Sequence, residues 1–274
     1  MLKIPKVLNP LYFGLAAIIV FSGFFIDTKA WQKIVCNEIP EITFKHAYIS
    51  NGKYILGKYL PGKVWIILGK AAYLKDRFKK STINLTSYSF FYQLVLLFAA
   101  ILTSIAVIFF IYRPLFWIST GILLLVLFFF FFLYRPTLNF IKQLAYKVFK
   151  KKIEIPPVSA NDTFHILKLS LLNWVLWSIS FYVFLLSVLP KETVGIEMGL
   201  LFPISSLIGI VVLIAPGGIG FREGFLAFGL TALGMSVKDA ASVSVLSRLW
   251  FLTGELLFFL SAIVLEVIDK RKKG

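Results

Sequence analysis

The chain has 274 residues, 59% of them hydrophobic and 17% aromatic, with a mean hydropathy of +0.86. That composition lies outside the range of soluble domains and identifies a polytopic membrane protein. The 29 basic residues against 13 acidic ones leave a formal charge of +16, which in a membrane protein reflects loops beside anionic lipid and argues against a nucleic-acid partner.

One cysteine, Cys36, excludes an internal disulfide, and His46 and His165 form no cluster at metal-ligand spacing. No metal or cofactor is expected.

Lys3 and Lys6 precede an apolar run from Leu8 to Ile26, about the 20 residues that span hydrocarbon. It predicts a first helix with its N-terminus in the cytoplasm. Residues 27–45 carry Asp27, Lys29, Lys33, Glu38 and Glu41 with Trp31 and Pro40, as an interfacial loop on the far side would, its carboxylates solvated. The next apolar region, His46 to Tyr73, is interrupted around Pro61 and Gly62, with Lys58 and Lys63 on either side. A Pro-Gly break frees backbone groups and here sets cations beside them. Lys70, Lys75, Arg77, Lys79 and Lys80 then mark a cytoplasmic loop.

Residues 84–112 and 114–134 are apolar segments separated by Arg113 and Pro114, predicting a tight antiparallel hairpin. Residues 135–163 carry Lys142, Lys147, Lys150, Lys151 and Lys152 with Pro156 and Pro157, a basic cytoplasmic linker between a first half (1–134) and a second half (164–274) of one membrane domain, 1–274. Phe164 to Leu189 reads as another span. The final helix, roughly Asp239 to Val267, ends in a basic tail that puts the C-terminus inside.

Between them lies the most informative stretch, Ala215 to Gly224, with Pro216, Gly217, Gly218, Gly220 and Gly224 around Arg222 and Glu223. It sits between apolar runs, and non-helical backbone at membrane depth survives only where protein or a water-filled cavity surrounds it. Pro216 ends one helix and another begins near Phe221, its free N–H groups forming an anion cradle. Arg222 offers a fork for phosphate oxygens, while Glu223 balances it or carries a proton. The same residues also suit a tight turn with both charges solvated at the interface. The limb from Phe225 to Ser236 is too short to cross about 30 Å of hydrocarbon, so 197–236 is expected as a re-entrant hairpin.

Ser244, Arg248, Phe251 and Glu255 share one face of the last helix by spacing. Glu255 falls mid-span, where a charge requires a partner or a proton. It either serves a headgroup site, with Arg248 holding a phosphate, or staples helices together. Glu266 reads as interfacial. These readings sum to an all-α polytopic membrane bundle of about six crossings plus a re-entrant hairpin, both termini cytoplasmic, with a broken segment in each half as in inverted repeats around a midplane site.

The motif P-G-G-x-G-x-x-E over Pro216 to Glu223, with Leu60-Pro61-Gly62-Lys63 early and Arg248 late, resembles the lysylphosphatidylglycerol synthase transmembrane-region family, the flippase-like domain proteins. The resemblance covers nearly the whole chain. It implies handling of phospholipids or lipid-linked sugars in the cytoplasmic membrane, without the soluble aminoacyltransferase domain of the larger synthases. It carries over to Pro61, Gly62, Lys63, Pro216, Gly217, Gly218, Gly220, Glu223 and Arg248.

The resulting expectation is a transporter-like protein for an anionic phospholipid or a prenyl-phosphate-linked sugar, with glycan or lipid synthesis enzymes as possible neighbours. Two alternatives stay open. One is a membrane transferase acting on a lipid phosphate, with Glu223 or Glu255 as base. The other is a scaffold that recruits a cytosolic glycosyltransferase through the basic linker.

Overall fold

The computed structural model describes residues 9–60, 65–111, 121, 125, 158–212 and 218–271. Described residues form an all-α bundle whose longest members are α1 (Pro10–Val35), α4 (Thr82–Ile111), α5 (Ala160–Val188) and α9 (Val237–Arg271). All four are long and apolar enough to cross a membrane. Between them lie α2 (Phe44–Gly52), a 3-10 segment (Ile55–Tyr59), α3 (Trp65–Phe78), α6 (Ile196–Gly199), α7 (Leu201–Val211) and α8 (Phe221–Ala232). Apart from residues 121 and 125, the predicted hairpin partner 114–134 lies outside the described residues, as does most of the basic linker, 135–157.

Local chemistry sets the helix starts. Asn9 accepts from the N–H groups of Leu11 and Tyr12 ahead of Pro10, and Ser159 accepts from Asp162 N–H at the start of α5. The two helices then pack antiparallel. Ser180 Oγ donates to Ala16 O at 2.6 Å and Trp177 Nε1 to Val20 O at 3.1 Å, while Lys33 pairs with Asp162 at 2.8 Å. Side-chain donors reaching a neighbouring helix's carbonyls are a common adhesive where lipid removes the hydrophobic drive for association.

α1 and α9 run parallel. Phe24 stacks on Phe258 at 4.8 Å between ring centroids, and a Cβ at Gly254 would lie 2.5 Å from Val20 Cγ1. The first residue of α1 and the last of α9 therefore lie at opposite ends of the bundle.

The reason is the second apolar region. A 9-residue α2 rises only about 14 Å at roughly 1.5 Å per residue, so it enters and α3 returns. Lys45 in the first turn of α2 and Arg77 in the last turn of α3 both pair with Asp269 of α9, and the region is a re-entrant hairpin instead of one of the expected crossings. At its α9 contact, a Cβ on Gly52 would lie 2.9 Å from the Phe258 carbonyl oxygen, so only glycine allows this approach.

α7 and α8 form a second hairpin that enters from the other end, where Asn9 N–H meets Ser187 O. At 11 and 12 residues, neither limb spans the hydrocarbon. A tryptophan and phenylalanine core joins it to the bundle, with Trp250 of α9 contacting Phe181, Phe184 and Phe202 at 5.2–5.8 Å between centroids.

Candidate functional site

The two hairpins meet in the interior, on either side of α9. From the first, Lys58 and Tyr59 reach Glu255 of α9. Lys58 Nζ bonds Oε1, and the Tyr59 hydroxyl donates to Oε2 at 2.6 Å. Glu255 is fully buried, so both carboxylate oxygens are matched by donors, as a charge at this depth requires.

From the second hairpin, Glu223 accepts from Arg248 Nη1 at 2.7 Å. Arg248 lies over the Tyr59 ring at 5.5 Å, so one tyrosine links both ion pairs.

The glycine stretch builds this corner. Gly218 has φ +71°, and a Cβ there would stand 2.4 Å from Gly209 Cα. Gly220, at φ +86°, occupies the N-cap of α8. Both are left-handed conformations that glycine adopts freely. The expected cradle of free N–H groups is partly filled from within, since Gly220 N–H donates to Glu223 Oε2 at 2.7 Å. The glutamate of the motif therefore caps its own helix and braces Arg248.

Arg222 and Glu223 are not paired with each other. Arg222 turns inward, 8% exposed, with its guanidinium over Phe202 at 5.0 Å and Phe251 at 5.5 Å. Its Nε and Nη2 have no hydrogen-bond partner among the described residues. This corrects the expectation that Glu223 balances Arg222 or that both are solvated.

Arg222 opens onto a cavity of about 510 Å³ between the hairpins and α1, α4 and α5, where Lys58 and Lys70 supply two more cations. Lys58 lies 5.1 Å from the Phe251 ring, so that ring separates the Lys58 and Arg222 charges while facing both.

The lining also includes polar residues that were not anticipated. Asp27, expected in an interfacial loop, is buried within α1 and accepts from the Tyr92 hydroxyl and from Asn51 Nδ2, the latter at 2.6 Å. Lys70, expected in a cytoplasmic loop, is 5% exposed, with its ammonium 5.0 Å from the Trp31 ring and 5.2 Å from the Tyr92 ring.

A signal for Asp27 existed. Ala30, Trp31, Ile34 and Val35 continue the apolar face at helical spacing past the charge, and all are buried. For Lys70, neighbouring Ala71 and Leu74 mark a buried stripe that the surrounding lysines masked.

The structure thus brings together Lys58, Gly218, Gly220, Arg222, Glu223, Arg248 and Glu255. Pro61, Gly62, Lys63, Pro216 and Gly217 lie outside the described residues. Glu266, expected at the interface, is 9% exposed and pairs with Lys53 at 2.8 Å and Lys270 at 3.1 Å. No group of three or more potential metal ligands occurs among the described residues.

Chemically, the chamber gathers three cations, Lys58, Lys70 and Arg222, with the Asp27 carboxylate, a set with a surplus of positive charge. Comparison with known proteins gives a match to the family described as the lysylphosphatidylglycerol synthase TM region, over residues 2–253. Neither a curated protein nor a solved structure matches the chain.

Proposed function

Because the chain belongs to the lysylphosphatidylglycerol synthase TM region family, and so is a multi-pass integral membrane protein of lipid handling or synthesis, we propose that it binds an anionic lipid headgroup in this chamber and carries it between leaflets. The carrying observation is Arg222, a buried guanidinium with two donors unpartnered among the described residues, on a side chain that lines a cavity shared with Lys58 and Lys70. Desolvating such a group without a partner costs several kcal/mol, and a phosphate entering from the lipid phase would recover much of it through a forked contact.

Hairpins entering from opposite ends offer a path from either leaflet to one central site, the arrangement that alternating access uses. The end carrying Lys45, Lys75, Arg77, Lys79, Lys80, Lys270 and Arg271 faces the cytoplasm on this reading, by the positive-inside rule. The lipid is a phospholipid or a prenyl-phosphate-linked sugar, and the membrane is the cytoplasmic one.

A group-transfer reaction would take Glu223 or Glu255 as its base, and each is bonded to a cation. That favours binding over catalysis. Purified protein in liposomes should accelerate transbilayer movement of a fluorescent anionic phospholipid, and Arg222→Gln should reduce the rate by about tenfold or more, the effect of losing a charge-assisted contact worth about 1.5–3 kcal/mol. Liposomes in which wild-type protein moves no anionic lipid, or in which Arg222→Gln moves it normally, would overturn the proposal.

A further inference from the structure

Among the described residues that line the chamber, Asp27 is the one carboxylate, and the headgroup reading gives it no task. It lies within a helix long and apolar enough to span the membrane and is 6% exposed. Its side-chain hydrogen-bond partners among the described residues are two neutral donors, the Tyr92 hydroxyl on Oδ1 and Asn51 Nδ2 on Oδ2 at 2.6 Å. Carboxylates at such depth are costly, and proton relays in pumps and transporters are built from them.

The Tyr92 hydroxyl also reaches the backbone carbonyl oxygen of Asp27, at 3.1 Å. That second acceptor gives the pair two complete hydrogen-bond states. With Asp27 ionised, the tyrosine proton points at Oδ1. With a proton on Oδ1, the carboxyl donates to the Tyr92 oxygen and the tyrosine turns its own proton to the carbonyl, so neither side chain loses a partner. A purely structural carboxylate has no use for the second state.

The cations that share the cavity with Asp27 come from three elements. Lys70 of α3 holds its ammonium 5.0 Å from the Trp31 ring and 5.2 Å from the Tyr92 ring, Arg222 comes from α8, and Lys58 of the 3-10 segment is already bonded to Glu255 of α9. Tyr59 and Tyr92 are the other titratable groups of the described lining, and the lining from α2, α5, α7 and α9 carries none. An anion that enters competes with Asp27 for Lys70 and Arg222, and two negative groups in one low-dielectric space repel each other. A proton on Asp27 ends that competition.

We infer that Asp27 is a proton site coupled to occupancy of the chamber: as the anion binds, one proton from the water on one side adds to Oδ1, crosses with the anion, and leaves to the water on the other side. Tyr92 is its positioning residue. The inference deepens the headgroup reading and rests on it, adding a driving force. A singly charged lipid and one proton move together without net charge, so a pH gradient drives them and a membrane potential does not.

The test uses the full chain in liposomes with fluorescent phosphatidylglycerol, the membrane potential clamped at zero by potassium and valinomycin, with protein-free liposomes as the reference. For one proton per lipid, a gradient of one pH unit should enrich the lipid about tenfold in the leaflet facing the alkaline side, and reversing the gradient should reverse the enrichment. Asp27→Asn, which offers Tyr92 an N–H donor as the protonated acid offers an O–H, should abolish the enrichment. Even distribution under the gradient with wild-type protein, or enrichment on the acidic side, would overturn the inference while leaving the headgroup reading standing, and this comparison needs no variant to fold. Enrichment that survives Asp27→Asn would also overturn it. Lipid that stays in place with and without a gradient would overturn the headgroup reading and this inference with it.

Discussion

At the scale of single residues, the interior distinguishes charges that are matched from charges that wait. Glu255 has Lys58 and Tyr59 on its two oxygens and no exposure. Lys58→Met should strand that carboxylate and destabilise the protein by about 3–5 kcal/mol, whereas Lys58→Met with Glu255→Gln should recover most of the loss. A thermal-denaturation double-mutant cycle in detergent measures this, and equal loss in the single and double variants would contradict it.

Sequence spacing located Glu255 mid-span and asked for a partner, and it put Arg248 on the same face. The partner's identity lay 197 residues away in Lys58, a pairing that no local pattern encodes. The contrast between Arg222 and Glu223 was equally hidden. Adjacent positions on a helix point about 100° apart, so one can turn toward the cavity while its neighbour caps the helix and meets α9.

At the scale of elements, each hairpin is held by a different device. The second depends on backbone geometry. Gly218→Ala meets both a left-handed φ and the Gly209 backbone, while Gly220→Ala meets the φ penalty with open space around it. Gly220→Ala should cost about 1–2 kcal/mol, and Gly218→Ala clearly more, because α7 and α8 must separate to admit the methyl group. Folded yield and melting temperature read the difference, and equal effects would refute the close packing.

The first hairpin is fastened to α9 by charge, through Lys45, Arg77 and Lys53. Within that fastening, burial and neighbouring Arg77 hold the His46 imidazole below its ordinary 6.5. The undocked histidine therefore takes up a proton more readily than the docked one as pH falls below about 6.5. Its contribution is present above that value and is lost on acidification toward the lowered one. Wild-type melting temperature should fall between about pH 7 and pH 5 more steeply than that of His46→Gln, with Arg77, Lys45, Asp269 and Tyr73 unchanged around it. Parallel pH profiles would rule this out.

At the scale of the whole molecule, the re-entrant first hairpin decides the topology. A segment that returns adds no crossing, and α1 and α9 run parallel, so their outer ends point to opposite sides of the bundle. Single cysteines at Asn9 and Lys270, in a background with Cys36→Ser, should therefore label from opposite faces of the membrane with an impermeant reagent. Labelling from the same face would overturn the parallel arrangement of α1 and α9.

The same topology brings Lys58 and Tyr59, which precede the first break, and Arg222, which follows the second, to one chamber. It leaves Asp27, Lys70 and Asn51, none marked by a motif, as the walls of that chamber.

Composition and periodicity alone determined that the chain is a helical membrane protein, where its apolar runs lie, and that its proline and glycine breaks need protein around them. Those properties follow from the bilayer as solvent, which acts on each segment separately. Only the tertiary structure decided which end each hairpin enters from, which carboxylate meets which cation, and which donors are left open. Those depend on where distant helices come to rest, and a buried charge is compensated only by the groups that packing brings within hydrogen-bond reach.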